Sequence, residues 1–391
     1  MAFFIFLHRT YVIILKYIIG IDFGHEKTAA WAVPVETTIW DDGFPLQITS
    51  VSDIHDTERY TRPSVIFKDT NSNYSLYETW DFPLKKYFKG KYKIEDIESN
   101  SSATDFSNYI RLIVQAFLNN ENNKLAIENN CPNFQIFIGC PSLWRKGERE
   151  KYRQFVNYSL RDLGVQVDGV VDVSDAAIFR FYSSVKESCA LVIDFGTSTI
   201  DYTLMIDGIK VSDDTWSNHQ LGTSNIERNM YQHFINDEKI GGELQKYKQK
   251  LIDAGEFELA KNIPDDLMYS CREAKEESFA WNFYDINNGR MKSILFRDSI
   301  ILAGNLKEMM GDYPEQVRRE FNRLRTRVFG ELKRRGQNKL DLVILSGGAF
   351  IMKWLVNMAK DVFKNSEVKK DPYPSYVVAK GIALYARMQY Q

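Results

Sequence analysis

Short apolar runs closed by turn residues recur along this chain and predict buried strands; longer stretches with apolar residues three and four apart predict helices. Tyr11 to Ile21 holds the first expected strand, and Ala29 to Val33 the second, with a polar turn between them. Ser64 to Phe67, Phe134 to Cys140 (stopped by Pro141) and Val170 to Val173 read as further strands. Phe106 to Leu118 has helical spacing through Ile110, Ile113, Val114 and Phe117, and Arg145 to Leu160 reads as a charged helix. Ser174 stands as an N-cap before a helix through Ile178. Cys189 to Ile193 and Tyr202 to Ile206 repeat the pattern of two strands about a polar turn, and Leu340 to Ser346 is a strand ending at Gly347-Gly348. A helix through Met352, Leu355 and Met358 follows, and Ser375 reads as the cap of a last helix. Its small residues Ala379, Gly381, Ala383 and Ala386 let a second helix approach closely, as a hinge requires. This alternation argues for α/β layers.

Between Asn225 and Leu306 the pattern turns helical, with Ile240-Gly241-Gly242 and Ile263-Pro264-Asp265 as expected breaks and Asn287-Asn288-Gly289-Arg290 as a hairpin turn. Residues 71–102 read as irregular surface insertions. Pro314 to Arg335 reads as one long helix with the apolar stripe Val317, Phe321, Leu324, Val328 and Leu332. Arg318, Arg319, Arg323, Arg325, Arg327, Lys333 and Arg334 lie off that stripe, as a solvated face or as a surface for an acidic partner.

A length of 391 residues fits about two domains, and 44% hydrophobic and 26% charged residues describe an ordinary soluble protein. The net charge of −2 gives no overall electrostatic footprint for nucleic acid. Four scattered cysteines without a Cys-x-x-Cys pair fit buried thiols in a reducing compartment, which places the protein in the cytoplasm, and the five histidines lack metal-ligand spacing. Met1 to Ile19 is strongly apolar, but His8-Arg9 interrupts it before it reaches the roughly 20 residues of a membrane span. No integral membrane segment is expected, and a peripheral contact through this extension stays open.

The chemistry centres on a tetrapeptide that occurs twice. Ile-Asp-Phe-Gly stands at Ile21 and again at Ile193, each time between two apolar strands. Gly24, and Gly196 with Thr197, Ser198 and Thr199, provide turns whose backbone N–H groups can surround an anion. Asp22 and Asp194 at the strand ends offer hard oxygen ligands to a hydrated cation. One such hairpin is commonplace. Two suggest duplicated domain cores, each presenting a phosphate-facing hairpin to a shared cleft.

In order along the chain, Gly20-Ile21-Asp22-Phe23-Gly24-His25, Asp172 to Phe181, Ile193 to Thr199, Val343 to Gly348 and Ser375 to Ala386 resemble the five motifs of the nucleotide-binding domain of DnaK-type heat-shock chaperones, in the actin-like ATPase superfamily. Arg62 to Val65, Gly139 to Ser142 and Leu221 to Glu227 add weaker echoes. The resemblance covers nearly the whole chain and leaves no room at its end for a chaperone's substrate-binding half. It implies an α/β fold of two lobes with duplicated ribonuclease-H-like cores and inserted subdomains. Lobe I is expected over residues 1–188 with an insertion about 35–105, and lobe II over 189–391 with a helical subdomain about 225–306 and a C-terminal helix 375–389 returning toward lobe I.

By the same resemblance, ATP or ADP and Mg2+ are the cofactors. Asp22 and Asp194 match the acids that hold magnesium through water, and Gly24, His25, Glu26, Lys27, Gly196, Thr197, Ser198 and Thr199 match the phosphate loops. Gly222, Thr223, Lys275, Gly347, Gly348 and Ile351 fall where the family contacts ribose and base; Asp194, Thr199 and Asp172 fall at catalytic places, Asp172 replacing a glutamate. Glu276 and Ile351 replace two arginines that sandwich adenine in the family, and Tyr77 to Asp81 lacks the lysine that steers the attacking water. The expected function is a Mg-dependent ATPase whose lobe closure regulates a protein partner. The alternatives are a non-hydrolysing nucleotide-binding or scaffold protein, and a sugar-type kinase or filament-forming actin relative with Asp172 or Asp201 as acceptor base.

Overall fold

The computed structural model describes residues 15–24, 27–36, 43–48, 61–63, 65–69, 73–76, 84–87, 100–128, 131–141, 144–181, 188–211, 216–280, 291, 293–297, 299–371 and 374–389. Its architecture is mixed α/β, built on two six-stranded sheets. The first contains β1 (Tyr17–Phe23), β2 (Lys27–Pro34), β3 (Phe44–Pro45), β4 (Thr61–Pro63), β5 (Phe134–Cys140) and β6 (Val167–Asp172). The second contains β7 (Cys189–Phe195), β8 (Ile200–Ile206), β9 (Ile209–Lys210), β10 (Trp216–Asn218), β11 (Leu342–Ser346) and β12 (Glu367–Lys370).

The two sheets repeat one topology. In the first the order is β6-β5-β1-β2-β3, with β1, β5 and β6 parallel and β2 and β3 antiparallel to their neighbours. In the second the order is β12-β11-β7-β8-β9, with the same parallel and antiparallel senses. Each repeated tetrapeptide ends the central strand of its sheet, so the sequence repeat is a repeat of position as well.

Ten helices accompany the sheets among the described residues: α1 (Asn100–Asn119), α2 (Lys146–Leu160), α3 (Val173–Arg180), α4 (Ser224–Asn236), α5 (Glu238–Asp253), α6 (Phe257–Ala280), α7 (Leu306–Met310), α8 (Tyr313–Arg334), α9 (Lys353–Val362) and α10 (Val377–Met388). None is long and apolar enough to cross a membrane.

The central strands are buried on both faces, which is why they read as continuous apolar runs. Their alternation divides the interior into layers. Ile19, Ile21 and Phe23 face α1 and α2, while Ile18, with Ala29, Trp31 and Val33 of β2, faces α10. Cys189, Leu191, Ile193 and Phe195 face the large core under α4, α6, α8 and α9, while Ala190 and Val192 face α3. Each connecting helix thus covers the sheet it did not follow: α3 leaves the first sheet and packs on the second, and α10 leaves the second and packs on the first. The two cross where the expected small residues stand. A methyl group on Gly381 would lie 1.8 Å from the Ala176 carbonyl oxygen, and one on Gly20 would lie 2.1 Å from that of Ala379.

Several local expectations are corrected. Asp172, not Ser174, caps α3, accepting hydrogen bonds from the Ser174 and Asp175 amides at 2.8 and 3.3 Å. Ser375 lies inside a 3-10 turn, Pro374–Tyr376, and no side chain caps α10. Gly241-Gly242 and Pro264 do not break helices; they sit within α5 and α6. The breaks fall instead at Asp237, whose carboxylate caps α5, and near Gly255, whose φ of +79° suits a residue just past a helix end. Asn287 to Arg290 lies outside the described residues, and a hairpin follows it, pairing Ile294–Phe296 with Ile300–Leu302. Within 71–102, strands Tyr74–Ser75 and Leu84–Tyr87 pair with Val65–Lys68, and Leu84–Tyr87 packs against α6.

Candidate functional site

Strand alternation aims the two hairpin acids. Asp22 shares a face of β1 with Ile18 and Gly20, and Asp194 shares a face of β7 with Ala190 and Val192. These are the faces carrying α10 and α3, which touch each other, so both acids emerge beyond one crossed helix pair. They come close enough to interact. Burial, and next the charge of Asp194, push the Asp22 carboxyl up to about 7. Burial, and next the charge of Asp201, push Asp194 up to about 7 as well, against a small opposing pull from Ser346. Both residues are half-buried.

The sheets set their neighbours. Beside Asp22 stand Ala29 in register on β2 and Gly139 on β5, where a methyl group would lie 3.6 Å from Asp22 Oδ1. Asp194 stands between Asp201 on β8 and Ser346 on β11. The Ser346 hydroxyl is buried without a hydrogen bond of normal geometry. Among the described residues neither acid forms an ion pair, and no group of three His, Cys, Asp or Glu is arranged to hold a metal ion directly.

The second loop is braced from behind. Gly196 N–H donates to the Thr199 carbonyl at 3.0 Å, and the carbonyls of Gly196 and Thr197 accept from the amides of Thr223 and Ser224 at 3.2 and 2.9 Å. Gly222 is pressed against this loop, since a methyl there would lie 2.0 Å from the Thr197 oxygen. Thr197 is buried, and the Thr199 hydroxyl donates to Asp201 Oδ2 at 2.9 Å. Burial raises the Asp201 carboxyl and Asp172 adds to this, while Thr199 and the nearby His219 pull it back. Gly347 has φ of +92°, a left-handed value that favours glycine. A methyl on Gly196 or Gly348 would meet nothing closer than 3.6 or 3.7 Å, so at either it would make only ordinary contacts.

The remaining expected residues divide. Asp172 is buried and fully engaged: Oδ1 caps α3, and Oδ2 accepts from Arg149 Nη2 at 3.0 Å. Lys275 is buried on α6, 2.6 Å from Glu227 Oε1 and 3.5 Å from Thr223 Oγ1. Ile351 ends a 3-10 turn and is 41% exposed. Lys27 pairs with Glu276 at 2.7 Å, joining the first hairpin to α6, and Arg272 pairs with the same glutamate at 3.1 Å. Ser198 and Gly24 lie in their loops. His25, Glu26 and Tyr77 to Asp81 lie outside the described residues.

Sequence reasoning missed the Lys275–Glu227 and Lys27–Glu276 pairings, neither of which carries a local signal. The place of Asp201 opposite Asp194 had one. The hairpin turn runs from Phe195 to Ile200, so counting back one residue on each side puts Asp201 opposite Asp194. Two hollows of about 500 and 280 Å3 lie elsewhere, beside His233 and Glu308, and beside Trp216 and Arg327. No protein-family model matches this chain, and neither does any curated protein.

Proposed function

We propose that this chain is a DnaK-like ATP-binding module, an actin-like two-lobed fold in which two ribonuclease-H-like cores hold Mg-ATP between their hairpins. One observation carries the reading: acids ending the central strands of two sheets with the same topology, 172 residues apart, lie close enough that one raises the other. Repelling carboxylates with no basic partner are what a cation site needs, and magnesium keeps several of its waters. Asp22 and Asp194 fit that role through water. When bound, magnesium would neutralise phosphate charge. The amides of the Gly196 to Thr199 turn would cradle phosphate.

Phosphoryl transfer to water requires positioning and charge neutralisation more than covalent chemistry. Thr199, fixed by its bond to Asp201, would orient the terminal phosphate. Asp201, raised by burial, is better suited to accept a proton than Asp172, whose oxygens are occupied. Closure of the lobes about the α3–α10 crossing would carry the nucleotide state to a protein partner.

A second reading, binding without hydrolysis, is favoured by the base side: Lys275 is held by Glu227, Glu276 is held by Lys27, and Ile351 cannot stack as an arginine does. Magnesium-dependent ATP turnover that collapses in Asp194→Asn supports the enzyme. Turnover no higher in wild type than in that variant, together with calorimetric ATP binding, supports the second reading. Absence of any nucleotide effect on melting removes both.

A further inference from the structure

The outward face of α8 has no part in the nucleotide reading, and its charge is out of proportion to the rest of the molecule. From Arg318 to Arg335 it carries eight basic residues against two acidic ones, on a chain whose net charge is −2. Solvated helices commonly alternate sign at a spacing of four, because opposite charges there attract. Here Arg319, Arg323 and Arg327 follow one another at that spacing, which sets like charges side by side. Among the described residues Arg318, Arg325, Arg327 and Lys333 form no ion pair, and the Arg323 and Arg334 side chains are 80% and 76% exposed.

The C-terminal part of this face is shaped as well as charged. The Arg327 guanidinium carbon lies 4.0 Å from the centre of the Trp216 ring, a cation–π contact that helps hold the group in place. Arg335 donates to the Val211 carbonyl at 2.7 Å and to Glu331 at 3.0 Å, and Arg334 pairs with Glu331 at 2.9 Å. Together these residues line a hollow of about 280 Å3. That is smaller than the roughly 300–1,000 Å3 of small-molecule sites and suits a single side chain.

We propose that this face docks an acidic peptide segment of a protein partner, with one carboxylate side chain seated in the Trp216 hollow between Arg327 and Arg334. Glu320 and Glu331, set among the arginines, would repel a continuous phosphate backbone, whereas a peptide can space its carboxylates around them. The chain's net charge also supplies no long-range attraction for nucleic acid.

The test is fluorescence anisotropy of a labelled octaglutamate peptide with the full chain at about 50 mM salt, where screening is modest. Saturable binding is expected, weakening as salt rises and falling about tenfold or more in R327A/R334A, because charge-assisted hydrogen bonds are lost. The variant's melting temperature and its response to Mg-ATP should match wild type, which separates this proposal from the nucleotide reading. Undiminished binding by R327A/R334A, or no saturable binding by wild type, overturns the proposal. Tighter binding of oligothymidylate or phosphatidylserine vesicles than of the peptide overturns it in favour of nucleic acid or membrane.

Discussion

Asp22 and Asp194 are costly to the folded protein when both are charged. Their carboxyls stand at about 7 rather than 3.8, so the folded state binds their protons more tightly than the unfolded chain does. The stability they contribute is present below about pH 4 and is lost as pH rises toward 7 and beyond. Asp22→Asn or Asp194→Asn should therefore stabilise the ligand-free protein at pH 8 by about 1–3 kcal/mol, discounted for solvent screening, and by less at pH 4.5. Denaturant melts at the two pH values check this, and an unchanged difference would mean that the folded state does not raise these carboxyls. The Lys275–Glu227 pair behaves oppositely. Its side chains are 6% and 8% exposed, so Glu227→Gln leaves a buried ammonium uncompensated and should cost about 3–5 kcal/mol in such melts. At this scale the sequence was partly legible. The repeated tetrapeptide exposed the two acids, because a strand end followed by glycine is a local pattern. The pairing of Glu227 with Lys275 was illegible, because 48 residues of chain separate the two.

At the scale of elements, strands and amphipathic helices were legible wherever a single periodicity ran uninterrupted. All five residues of the α8 stripe are buried. The failures concern glycine and proline read as punctuation. Gly241 and Gly242 both lie in α5, for different reasons: a methyl on Gly241 would fall 2.6 Å from the Ile235 oxygen, while one on Gly242 would meet nothing within 4 Å. The adjacent substitutions should thus have opposite signs. Gly242→Ala should stabilise by about 0.5–1 kcal/mol through helix propensity, and Gly241→Ala should destabilise by about 1–3 kcal/mol through overpacking. Thermal melts of the two variants compare them directly. Equal effects would mean that Gly241 does not lie against the Ile235 carbonyl at the end of α4. The edge strands β3, β9 and β12 were absent from the sequence reading because they are two to four residues long. Such strands owe their existence to a neighbouring ladder rather than to any pattern of their own.

For the whole molecule, the duplicated topology makes the sheets alike and leaves the connections between them to decide what can move. At one contact, α3 and α10 meet with no room for a methyl group at Gly381, where the proposed closure would have its pivot. Elsewhere the contacts are of another kind: Lys27 reaches Glu276 with side chains 31% and 30% exposed, and strand Leu84–Tyr87 rests on α6. An exposed ion pair contributes about 0–1 kcal/mol, against the several kcal/mol of buried packing at the pivot. The contacts far from the pivot should therefore yield first. Hydrogen exchange reads this prediction. In Glu276→Gln, the amides of Lys27, Thr28 and α6 should exchange faster, while those of α3 and α10 remain as protected as in wild type and the melting temperature shifts by no more than about 2 °C. Added salt should bring wild type toward the variant, since it screens the same pair. Uniform acceleration through α3 and α10 would mean that the two sheets separate at the α3–α10 contact, and hinge closure would have no fixed axis.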